Sequence, residues 1–177
     1  MKKNIVNAGL KVDGMFRDII TNKRTGEVKV SKWEHNLVVN SAINLITALL
    51  ASKNTKGIKY WAVGSGANSW DTTSVDPPTA SETKLTSEIG RKSISTIEFY
   101  DSNNGVSATP TNKIHIAVTF SENECNGTWR EFGLFGGDTA SSTADSGIMI
   151  DKKHHNVITK TQDIVIERHI VSTFNLA

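Results

Sequence analysis

The chain has one cysteine, Cys125, and three prolines among its 177 residues. A single thiol cannot close an internal disulfide, so the fold must rest on packing rather than on crosslinks. No apolar run approaches the roughly 20 residues that a membrane-spanning helix needs. The opening MKKNIVNAGLKVDG carries two lysines with no apolar segment behind them, which argues against a secretion signal. An excess of one charge is also missing: 20 Lys and Arg face 18 Asp and Glu, for a net charge of +2. The basic residues are scattered, so composition shows neither a nucleic-acid footprint nor an acidic tail. These absences predict one soluble domain over residues 1–177, made in a reducing cytoplasm, with no membrane or nucleic-acid partner.

What is present is mostly strand pattern. GLKVDGMF alternates, with Leu10, Val12 and Phe16 on one face. TNKRTGE supplies turn chemistry before VKVSKW, which predicts a hairpin. KIHIAVTF is the cleanest strand, with Ile114, Ile116, Val118 and Phe120 facing one way and His115, Ala117 and Thr119 the other. Asn104-Gly105 marks a turn in which both residues tolerate positive φ.

One amphipathic helix is predicted over about 41–51, capped by Asn40 or Ser41, with Ala42, Leu45, Ile46, Leu49 and Leu50 on one stripe. A short helical turn is predicted over about 82–90, where Leu85 and Ile89 lie four apart. Residues 67–83, with Pro77-Pro78 and many Ser, Thr and Asp, form a long loop. About eight to ten short strands with one helix predict a mainly β fold, an antiparallel sandwich or open barrel with the helix over one opening or face. Alternating βα units are absent, which argues against a doubly wound nucleotide-binding fold.

Candidate chemistry is sparse. AVGSGA at 62–67 is glycine-rich after a strand, but it has neither the third glycine of a dinucleotide fingerprint nor a Gly-Lys-Ser/Thr step. His154 and His155 are adjacent, so in a strand they point to opposite faces and cannot easily share an ion. Cys125 sits in a polar turn with no local group to lower its pKa. Glu122 and Glu124 read as solvated rim charges, and no Gly-x-Ser-x-Gly elbow exists. No catalytic residue, metal site or cofactor is expected. In TWREFGLFGG, Arg130, Phe132 and Leu134 share one face of a strand, and Trp129, Glu131 and Phe135 share the other. A strand apolar on both faces is covered on both sides, so Arg130 and Glu131 require partners across the sheet or across a subunit interface.

The ordered signatures NLVVNSAINLITALL, YWAVGSG, a proline-containing loop, TKLTSEIGRK, TWREFGLF, GIMI, VITKT and IVIERHIVSTF span residues 36–174. Their order resembles a domain of tailed-bacteriophage structural proteins, found in tail-fibre N-terminal (collar-type) domains and in small neck or baseplate proteins. The resemblance implies a non-enzymatic β-rich virion subunit, assembled in the host cytoplasm, that oligomerises with itself and attaches fibres or adjoining tail and neck proteins. The chain departs from the pattern in its longer 67–83 loop and in Phe132 in place of an aliphatic residue. It also stops at Ala177, where a fibre would continue, which favours an adaptor, neck or baseplate subunit. Expected interface residues are Trp70, Asp71, Pro77 and Pro78 in the loop, with Arg130 and Glu131. Trp70 is the expected anchor, the rival being that it folds back to cap its own sandwich. Two other classes remain: a carbohydrate-binding receptor-recognition module stacking sugars on Tyr60, Trp61 and Trp70, and a capsid decoration protein.

Overall fold

The computed structural model describes residues 9–71 and 75–176. Its strands, in chain order, are β1 (Leu10–Asn22), β2 (Val28–Val30), β3 (Glu34–Val38), β4 (Ile58–Gly64), β5 (Glu88–Ser93), β6 (Thr96–Tyr100), β7 (Val106–Ser107), β8 (Lys113–Phe120), β9 (Gly127–Gly136), β10 (Ile148–Lys160) and β11 (Ile164–Leu176). Helix α1 (Asn40–Leu50) separates β3 from β4, and one 3-10 turn occupies Asn68–Asp71. The strands form one antiparallel sheet in the order β5-β4-β9-β10-β3-β1-β11-β8-β6-β7, with β2 beside β1, and it does not close into a barrel.

Short β3 is the joint. It pairs with Gly14–Phe16 of β1 on one side and with Asp151–Lys152 of β10 on the other. About it the sheet folds over, so residues from both halves share a core: Phe16, Ile116, Val118, Phe120, Ile166 and Ile170 meet Trp61, Val63, Trp129, Phe132 and Leu134. The alternation expected for 113–120 is the one observed, since Ile116, Val118 and Phe120 are fully buried and Ile114 packs against them. The hairpin joining β1 to β2 also forms, with Asn22 Oδ1 accepting from the amides of Arg24 and Thr25. A smaller core of Val39, Ala62, Leu85, Phe135 and Met149 covers the outer face of β4, β9 and β10. That cover is why β9 is apolar on both sides.

Several local expectations are corrected. The helix runs 40–50, and its N-cap is Val39 with no side-chain capping bond; Ser41 Oγ instead donates to the Met149 carbonyl at 2.6 Å. Leu50, placed on the buried stripe, is 82% exposed. The 82–90 segment is not helical: Leu85 is buried in a turn region and residues 88–93 are strand, because these backbones pair with β4 instead of with themselves. Trp129 does not share a face with Glu131 and Phe135. The β9–β10 register shifts between His154 and Ile158, and that irregularity turns Trp129 into the core beside Phe120.

Candidate functional site

Arg130 and Glu131 sit side by side on β9, and both are buried. Arg130 makes a two-pronged pair with Asp71, Nε and Nη2 each donating to a carboxylate oxygen at 2.6 Å, and its Nη1 donates to the Ser65 carbonyl at 2.9 Å. The guanidinium holds the Asp71 carboxyl below its ordinary range. Glu131 accepts from the amides of Ser87 at 2.8 Å and Thr86 at 3.0 Å, and lies 3.1 Å from Lys152 Nζ. Lys152, on the neighbouring β10, also reaches Glu82 at 2.6 Å. Both charges predicted to need partners have them, and every partner lies within the chain. Asp71, on Arg130, and Glu82, on Lys152, tie opposite ends of the 67–83 loop to the sheet.

Trp70 is 8% exposed, so the loop does not present it to a neighbour. Its ring stacks on the His154 imidazole with centroids 3.9 Å apart. It also covers Gly66, whose φ of 56° and whose space would both reject a side chain. The rival arrangement, in which Trp70 caps its own fold, is the one observed. His154 donates through Nδ1 to the Asp76 carbonyl at 2.7 Å, just ahead of Pro77-Pro78. Pro77 is exposed and Pro78 half-buried, while residues 72–74 lie outside the described residues. Burial pushes the His154 imidazole below its ordinary pKa, so it sits neutral among Lys152, Glu82 and Glu131.

His155 faces the other way, into the core. Its Nε2 lies 3.2 Å from Arg168 Nη2, and Arg168 pairs with Asp18 at 2.7 and 2.9 Å. Adjacent histidines thus serve opposite faces, as strand geometry requires. The sugar platform proposed from Tyr60, Trp61 and Trp70 does not form: Trp61 is fully buried and Trp70 nearly so. Cys125 is half-buried, and burial pushes its thiol above its ordinary value, the opposite of an activated nucleophile.

A different surface stands out at the end of the sandwich covered by α1. There an apolar cleft of about 200 Å³ opens between Ile46 and Leu49 of α1 and Val12, Ile114 and Phe174 of the strands. Beyond it the β1–β11 ribbon continues for one more step, pairing Leu10 with Leu176. Leu10 is 48% and Leu176 83% exposed, and Leu50 and Ile43 project from α1. Sequence reasoning missed this end because alternation alone places Leu10 with Val12 and Phe16 on a covered face. No protein-family model and no curated protein matches the chain.

Proposed function

We propose that this chain is a non-enzymatic structural subunit of a tailed-phage virion: a tail, neck or baseplate component that oligomerises and attaches fibres or adjoining tail proteins. The reading starts from the ordered signatures over residues 36–174. The observation that carries it is the apolar end, where Leu10, Leu50 and Leu176 stand in water beside an apolar cleft. Soluble monomers seldom leave large apolar side chains clustered at one end; such surfaces mark contacts. The occupant proposed is a second copy of the chain, whose projecting ribbon enters the cleft of its neighbour and repeats the contact around a ring. Asp76 and Pro77, exposed on the 67–83 loop, offer a further contact, with the buried Trp70 supporting that loop from within.

The double variant Leu50→Asp, Leu176→Asp tests it. Both sites are more than four-fifths exposed, so the subunit should fold with an unchanged melting temperature. Sedimentation should show a concentration-dependent oligomer for the native chain and a monomer for the variant, and the variant should be missing from purified particles. A native chain that stays monomeric and is not found in particles, or a variant incorporated at native levels, overturns the reading.

A further inference from the structure

The outer face of β1, β6, β8 and β11 carries a groove of about 550 Å³, within the size range of small-ligand sites. Nothing in the subunit reading uses it. Its distinguishing feature is an arginine without a counter-ion. Of the five arginines in the chain, Arg24, Arg91, Arg130 and Arg168 each pair with a carboxylate. Arg17 pairs with none among the described residues, and its Nε, shielded from solvent, has no hydrogen-bond partner. The nearest acids on its own strand are committed elsewhere: Asp13 lies 3.1 Å from His35 Nδ1, and Asp18 faces inward to Arg168. A half-buried cation left unpaired is costly, and an anionic ligand would offset that cost.

The walls narrow the class of anion. The Arg17 guanidinium lies 4.8 Å from the centre of the Trp33 ring, and Trp33, at 38%, is the most exposed of the four tryptophans. Opposite, Tyr100 stacks on His115 at 4.5 Å and His115 on His169 at 5.2 Å. The two imidazoles are bonded to each other, Nε2 to Nδ1, at 2.9 Å. His115 Nδ1 and His169 Nε2 make no hydrogen bond, with Glu98 at 3.5 Å and Glu167 at 3.1 Å beside them. Burial lowers both imidazole pKa values, so at neutral pH they present neutral donors and acceptors instead of charge. Lys113, held by Asn104 Oδ1 at 3.0 Å, adds a second cation to the lining. A bare inorganic anion would use Arg17 and leave the aromatic walls wet. A ring with an apolar face, several hydroxyls and one carboxylate would use all of these groups.

We propose that this groove binds a carboxylate-bearing saccharide, its carboxylate on Arg17 and its sugar ring against Trp33. This goes beyond the subunit reading and is tested on the purified chain, so its outcome is separate from whether the chain enters particles.

The probes are sodium glucuronate and N-acetylneuraminate, with glucose, acetate and inorganic phosphate as controls at constant ionic strength. Binding is followed by calorimetry and by the change in tryptophan emission, which reports on Trp33 because it is the tryptophan in the groove lining while Trp61, Trp70 and Trp129 are buried elsewhere. The expected result is a saturable response to at least one acidic sugar, weaker or missing for glucose, acetate and phosphate. Arg17→Gln should weaken that binding at least about tenfold, the size expected of a lost charge-assisted contact. If Arg17→Gln lowers the melting temperature, Trp33→Ala, in the coil ahead of β3, carries the test by calorimetry. No saturable response to either acidic sugar overturns the proposal. So does an equal response to acetate or phosphate, or a folded Trp33→Ala that binds as well as the native chain.

Discussion

Asp151 is a carboxyl enclosed at the joint of the sheet, 1% exposed, facing β3 and β9. It accepts from the Leu134 amide at 3.0 Å and from Asn36 Nδ2 at 2.6 Å, yet burial outweighs both bonds and pushes its pKa up to about 7. A carboxyl whose folded pKa exceeds its unfolded value of 3.8 stabilises the fold in its protonated form. That contribution is complete below about pH 4 and is lost as pH rises through about 7. Within the window each pH step costs up to about 1.4 kcal/mol. The lowered imidazoles of His154 and His155 act with opposite sign, because their charging on acidification opposes folding. The difference between the native chain and Asp151→Asn therefore isolates the carboxyl. Calorimetry across this range should show the native melting temperature falling relative to the variant as pH rises, and parallel curves would remove Asp151 as the cause.

At the scale of the element, α1 has little to hold it except packing. No side chain caps its start, no acid occupies its first turn and no base its last. An isolated helix of this length is marginal in water, so its stability comes from the face it buries. Ala42 and Leu45 are each 3% exposed, while Leu50 stands in solvent. Leu45→Ala should cost about 2–5 kcal/mol, whereas Leu50→Asp should change monomer stability by no more than about 0.5 kcal/mol. Denaturant titration of the two variants checks the contrast. Equal losses would mean that the helix packs through a different face.

Across the whole molecule, the two halves of the sheet share one core. Phe132 on β9 meets Phe16 on β1 edge-on at 4.9 Å and Trp61 on β4 at 5.3 Å. The Arg168 guanidinium, paired with Asp18 on the neighbouring β1, reaches across to the other half, 4.7 Å from the same ring and 3.2 Å from His155 Nε2. Neither half can lose this contact without exposing the other's apolar face. Phe132→Ala should cost about 3–5 kcal/mol, and the native protein and variant should each unfold in a single transition. Separate melting of amide protons in β8–β11 and in β4–β9, seen by hydrogen exchange, would show two independent units instead.

Sequence by itself determined the features that depend on neighbouring residues. A period of two in 113–120 was enough to place Ile116, Val118 and Phe120 inside, and turn chemistry at 22–27 to place the first hairpin. That Arg130 and Glu131 must have partners followed from apolar residues on both faces of their strand. Which partners they have did not, since Asp71, Lys152 and the amides of Thr86 and Ser87 come from distant parts of the chain. Spacing of four between Leu85 and Ile89 fits a helix or an irregular turn entering a strand, and pairing with β4 decided for the strand. Sequence left Trp70 open between an interface anchor and a cap, and the ion pairs that hold its loop on β9 and β10 set its ring against His154. The groove around Arg17 gathers Trp33, Tyr100, His115 and His169 from four separate segments. Periodicity records local backbone geometry, whereas burial, ion pairing and shared walls depend on register and on the fold of the sheet about β3, which only the tertiary structure supplies.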